Sequence, residues 1–339
     1  MSRRGGLEPS APGRRKAGMR VARTASWLVV PVATFAVAFG ASFAAHAVDR
    51  DDQPVAANVG RTQPPGARGT ERIAVAIRAG ESESYIYVLA LDGSNRRQLT
   101  RPPQGGVAAD SVAAWSPDGS AIVLSRQVID DPADPSNPHL YAVSPDGGAL
   151  RRLTSGAAFD ILPAWAPDGS RIVFSRAVGE QSTDVFTMRP DGTDFVRLTD
   201  DLRVHEDTAT YSPDGTRIVY TRVERDNGDV YVMNADGSGK TPLLTGPHVD
   251  GAPAFAPDGR RIAFVRDGHI AVAAEDGTGL RMLTSGELKD SHPQWAPDGE
   301  RILFTRDPGS VYVMNADGSG LARVPIEGQA SGASWEPSS

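Results

Sequence analysis

Two charged positions recur along the chain at a fixed interval. Asp110, Asp160, Glu206, Asp250 and Asp290 are each followed sixteen residues later by an arginine: Arg126, Arg176, Arg222, Arg266 and Arg306. Arg78 stands at the matching place of an earlier, incomplete unit, and Ala330 stands where a sixth acid would fall. Carboxylates beside guanidinium groups form charge-assisted, often bidentate pairs. Carboxylates that converge with neutral imidazoles can instead hold a divalent metal. His205, His248 and His292 lie six, seven and three residues before an aromatic in successive units, so both chemistries are open. A feature present in every repeat usually serves the repeat, which makes the acids and arginines a set of ion pairs within each unit. The functional alternative is a ring of acids at the mouth of a central channel, holding a cation or a basic peptide end. The three histidines break the repeat, and so do Asp130 and Asp131 in the long loop 127–138. These five are the candidate asymmetric binding positions. Against the histidines stands their loose spacing, since no tight ligand motif joins them.

Several catalytic signatures are absent on inspection. Gly237-Ser238-Gly239-Lys240-Thr241 resembles the end of a phosphate-binding loop, but the required first glycine falls at Asn234. His205-Glu206 opens like a zinc-protease motif, and the second histidine would fall at Ala209. No Gly-x-Ser-x-Gly occurs. The expectation is no catalytic residue, no resident metal and no cofactor, with a divalent cation in the channel as the alternative.

The elements that must position these side chains follow from a repeat of 40 to 50 residues. Its marker is Trp165-Ala166-Pro167-Asp168-Gly169, with near-copies beginning at Trp115, Tyr211, Phe255 and Trp295 and a truncated one at Trp335-Glu336-Pro337. In the unit 155–199, an aromatic ends one strand and Pro-Asp-Gly makes a turn. Arg171 to Arg176 returns, Val185 to Met188 forms a third strand, Asp191-Gly192 signals a hairpin, and Phe195 to Thr199 forms a fourth. Four antiparallel strands per unit is a propeller blade. Asp-Gly recurs six times, and Leu-Thr recurs at Leu99, Leu153, Leu198, Leu244 and Leu283, becoming Val324-Pro325 in the last unit. The prediction is an all-β, six-bladed β-propeller over 71–337. The first unit lacks its first strand, so the chain's end near Trp335 must supply it and close the ring.

Ahead of the repeat, residues 1–24 form a basic leader with seven Lys/Arg against Glu8, and 25–47 contain an apolar run of about 21 residues. The run reads as one helix, either a secretory signal cleaved near Ala47 or an uncleaved membrane anchor. Either way the leader is cytoplasmic and the rest exported. Residues 48–70 read as a Pro/Gly-rich disordered linker. The whole chain carries −7, so the part after residue 47 carries −13, which argues against nucleic acid as a partner. The chain has no cysteine and hence no disulfide or thiolate chemistry.

The pattern acid-x-x-Pro-x-Trp-x-Pro-Asp-Gly, then Arg-Ile-x-Phe, Val-Tyr-Val-Met-Asn-x-Asp-Gly and Leu-Thr, resembles the WD-like propeller repeat of the TolB family. Asp160 to Gly169 and Val230 to Gly237 carry it most clearly. The resemblance implies a six-bladed propeller that binds proteins outside the cytoplasm. In TolB proper an α/β domain precedes the propeller, whereas the linker 48–70 stands in that place here. The expected function is an exported, monomeric, non-catalytic scaffold for an envelope protein or peptide. The alternatives are a propeller hydrolase or lyase working at the channel mouth, and a glycan-binding or sensory outer domain.

Overall fold

The computed structural model describes residues 71–338 except 105, 130–136 and 180–181. The leader, the apolar segment, the linker, and Asp130 and Asp131 therefore lie outside the described residues. Among the described residues the chain forms 24 strands and no helix. In the unit 155–199 the strand Asp160–Trp165 pairs antiparallel with Ile172–Ala177, which pairs with Thr183–Met188, which pairs with the two-residue strand Val196–Arg197. The turn between the first two carries Asp168, whose Oδ1 accepts from the backbone N–H of Ser170 at 2.9 Å. That bond is the reason an aspartate recurs there.

The 24 strands fall into antiparallel sets of four with this order. Single parallel bridges, Ser84 to Ala109 and Thr183 to His205, join two pairs of neighbouring sets into eight-stranded sheets. One set draws on both ends of the domain: Ala330–Trp335 pairs with Arg72–Arg78, with Trp335 opposite Ile73 and Ala330 opposite Ile77. The first strands of successive sets touch in sequence. Val107–Trp115 meets Asp160–Trp165, then His205–Tyr211, Asp250–Phe255, Asp290–Trp295 and Ala330–Trp335, which returns to Val107–Trp115. These inner strands surround a common axis. Apolar clusters fill the seams between sets, as where Leu303, Val311 and Val313 pack with Ile73, Val75, Leu89 and Trp335.

The repeat aromatic is a seam residue. The indole N–H groups of Trp165 and Trp295 donate to the carbonyls of Ala114 and Ala254 in the preceding inner strand, at 3.1 and 3.2 Å. Arg261 and Arg301 stack over Trp295 and Trp335 of the next set, 4.6 and 5.1 Å from the ring centroids. The prolines of the turns also serve the seams, since Pro117 and Pro167 sit beside Gly169 and Gly215 of the following set.

Every inner strand carries a bulge three residues before its aromatic. The bulged residues Val112, Leu162, Thr208, Ala252, His292 and Gly332 all have positive φ, between 41° and 58°. A β-branched residue seldom adopts this conformation, so the surrounding ladder imposes it at Val112 and Thr208. At Gly332 an added Cβ would lie 2.9 Å from the backbone N and Cα of Val112. Ala252 shows that the backbone shape alone accepts a methyl group, so the close approach is what requires glycine at 332. Gly332→Ala should therefore cost about 2 kcal/mol of stability through overpacking, whereas Ala252→Gly at the equivalent place should stay within about 1 kcal/mol of wild type. Urea unfolding of the two variants checks this, and equal effects would refute the seam argument.

Candidate functional site

The structure places each repeat acid against the arginine of its own set. Arg176 meets Asp160 through two nitrogens at 2.6 and 3.0 Å. Arg266 meets Asp250 at 2.7 and 2.6 Å, and Arg306 meets Asp290 at 2.6 and 2.9 Å. Arg222 divides itself between Glu206 at 2.9 Å and Asp201 at 2.7 Å. Arg126 reaches Asp110 through one nitrogen, at 3.3 Å. All five acids are buried. A third partner comes from the Leu-Thr motif of the preceding set. The Thr100 hydroxyl accepts from the Ile86 N–H at 2.8 Å and donates to Asp110. Thr154 stands in the same relation to Asp160, whereas the Thr199 hydroxyl, which accepts from the Val185 N–H at 2.9 Å, donates to Asp184 Oδ1 at 3.4 Å.

The balance of partners sets each acid's proton affinity. Burial pushes the Asp110 carboxyl up to about 6, and the single contact from Arg126 with the Thr100 bond only partly offsets it. Burial also pushes Asp160 upward, but bonds from His139 and the two-nitrogen contact of Arg176 outweigh it and hold the carboxyl below its usual range. Burial prevails at Glu206, whose pKa is raised. At the sixth place, where Ala330 replaces the acid and Pro325 replaces the threonine, Arg78 turns to the carbonyls of Gly80 and Glu81 at 2.8 and 2.6 Å and to Gln329 Oε1 at 3.1 Å.

The three histidines do not converge. His205 lies beside Thr183 Oγ1 at 3.5 Å, and burial lowers its pKa. His248 is exposed, with Nδ1 2.6 Å from Asp267 Oδ2. His292 occupies the bulge of its inner strand, where burial lowers its pKa. Among the described residues no group of three His, Asp or Glu side chains is placed to hold a metal ion.

One acid that the repeat analysis passed over stands out. Asp207 follows Glu206 directly, at a level occupied in the other inner strands by Ser111, Ile161, Gly251, Ser291 and Ser331. It keeps partial contact with water, yet burial pushes its carboxyl up to about 6. Its hydrogen bond comes from Thr208 Oγ1 at 3.2 Å. The signal was present in the sequence: comparing that column across the units isolates one charged residue among small and apolar ones.

The model of the TolB beta propeller domain family matches residues 49–248 and 208–339. The chain belongs to this family. A segment of 45 residues is 47% identical to the Tol-Pal system protein TolB of Anaeromyxobacter dehalogenans, covering 13% of this chain and 10% of that protein. The match thus spans about a tenth of that relative's length. Among solved structures, TolB from Acinetobacter baumannii aligns with a TM-score of 0.67 and 22% identity over 82% of this chain and 69% of its own. A putative TolB from Agrobacterium tumefaciens gives 0.61 and 21%, over 78% and 92%. An oligogalacturonate lyase in complex with manganese gives 0.50 and 14%, over 76% and 74%. At these identities the likeness is one of fold. The TolB-like assignment and the all-β propeller architecture expected from the repeat are those of the structure, and among the described residues no helix is long and apolar enough to cross a membrane.

The raised pKa of Asp110 gives a pH test. Its carboxyl binds a proton more tightly in the folded state, so its contribution to stability is full below about pH 4 and is lost as pH rises to about 6. Asp110→Asn should remove a loss on the order of 2 kcal/mol between pH 4 and pH 7. Chemical denaturation at both pH values gives the difference, and an unchanged pH dependence would contradict the assignment.

Proposed function

We propose that this chain is an exported, six-bladed TolB-like propeller that binds an envelope protein or peptide and performs no chemistry of its own. In this reading the six sets of four strands are the blades, and the apolar segment 25–47 carries the domain across or into the membrane. Membership of the TolB β-propeller family is the observation that supports it most. The geometry is consistent with it: the recurring acids, which in another arrangement could serve as general acids or metal ligands, are buried and committed to arginine and threonine partners. Loops on a rigid scaffold are the usual place for binding. Leu202 and Leu288 are exposed, at 65% and 52%, in the loops that lead into the inner strands at His205 and Asp290. The hairpin residue Thr278 lies at the other end of the blade, in the turn that follows His269–Ala274.

A photo-crosslinking residue at Leu202 or Leu288 in the full chain, expressed in its native envelope, should yield a specific adduct with an envelope protein. The same residue at Thr278 should yield less. The absence of a specific adduct from all three sites would sink the scaffold reading and turn attention to substrate screening.

A further inference from the structure

The inner strands line one axis, and the residues at their bulges differ from blade to blade in a consistent way. On the wall formed by two neighbouring inner strands stand Val112, Ile161 and Leu162, all partly exposed. On the next inner strand, His205–Tyr211, stand Asp207 and Thr208, and two inner strands further on stands His292, all also partly exposed. Between the strands of Asp207 and His292 runs Asp250–Phe255, which carries only the small, buried residues Gly251 and Ala252 at this level. The lining at this level is therefore apolar on two successive inner strands and carries a single acid on the strand that follows them. The repeat acids cannot supply charge to a ligand here, because their arginines already neutralise them. Asp207 is different. Arg222, on the neighbouring strand, is spent on Glu206 and Asp201. Among the described residues Asp207 has no ion pair, and its one hydrogen bond is from a hydroxyl. A carboxylate enclosed by protein and lacking a cation is a costly arrangement unless something else completes it.

We infer that this level of the channel receives an ammonium group carried on an aliphatic stem, such as a lysine side chain or the amino end of a peptide inserted along the axis, with Asp207 as counter-ion and Ile161 and Leu162 against the stem. This rests on the scaffold reading and names the chemistry of its ligand. The match is one of two halves. A stem of several methylenes loses water against the Val112, Ile161 and Leu162 wall, and the ammonium makes charge-assisted bonds to Asp207 with the Thr208 hydroxyl as a further acceptor. A divalent metal fits less well, since it would need several oxygen ligands and this level provides one carboxylate.

The test uses the full-length protein and n-hexylammonium chloride as probe, followed by the carbon shift of the Asp207 carboxyl and the imidazole shifts of His292 at pH 7.5. The expected result is saturable binding with a Kd on the order of 1 mM, at least tenfold weaker with Asp207→Asn and equally weak for uncharged hexanol. Ile161→Ser should weaken the amine severalfold with the Asp207 titration unchanged. Should Asp207→Asn fail to fold, the wild-type protein carries the test. Affinity for the amine should fall about tenfold from pH 7.5 to pH 5 as the carboxyl, which titrates near 6, takes up a proton. Affinity independent of pH, equal binding of hexanol, or displacement of the amine by calcium chloride at lower concentration would each overturn the inference. The scaffold reading fails separately: an envelope partner captured equally well by Asp207→Asn protein leaves the scaffold standing and removes the ammonium site.

Discussion

A buried carboxylate shared between an arginine of its own blade and a threonine of the blade before it, as Asp110 is between Arg126 and Thr100, ties neighbouring blades of this propeller together. The threonine hydroxyl is already occupied by a backbone N–H of the third strand, as Thr100 is by Ile86, so its proton is free to point at Asp110. One four-atom chain thus fixes the end of one blade to the start of the next. A charge buried in this way is expensive to isolate and tolerable when its bonds are complete. Its contribution is therefore more one of placement than of net stability. It sets where each inner strand begins, and the register of the rest of the blade follows from that point.

The exception at the closing seam supports this account. The threonine and the acid disappear together, as Pro325 and Ala330. Other contacts take over where the chain's two ends meet. Arg301 grips Glu71 through two nitrogens at 2.8 and 2.7 Å, and Arg72 reaches Glu336. These pairs join residues from opposite ends of the domain and so hold its two ends together.

Much of this was legible in the sequence because a propeller repeats its reasons. Trp165, Pro167, Asp168 and Gly169 each have a local physical role, and six near-copies average out the ambiguity of any one. Strand identities came through in the same way, with boundaries within about two residues except for the outer strands. Phe195 to Thr199 reads as a strand of five, but the ladder holds only Val196 and Arg197, because no further blade lies outside to extend it. The bulges were not legible. Nothing in the residue types Val112, Leu162 and Thr208 advertises a positive φ, since the ring imposes it from outside. The surroundings of the histidines were not legible either: their spacing along the chain places them in successive blades, yet His248 lies exposed beside Asp267 while His292 sits in the bulge of its inner strand.

Symmetry also decides where specificity can reside. Equivalent positions around an axis present a ligand with copies of whatever the repeat encodes, and a ring of identical groups fixes no orientation. A single departure breaks that degeneracy. Asp207 places one carboxylate among serines, a glycine and an isoleucine at its level. Because the seams are held by groups one residue away, such as Glu206 with Arg222, the channel positions are free to vary without disturbing closure. The division of labour runs along one strand: Glu206 belongs to the scaffold, and its neighbour Asp207 is available to whatever enters the ring.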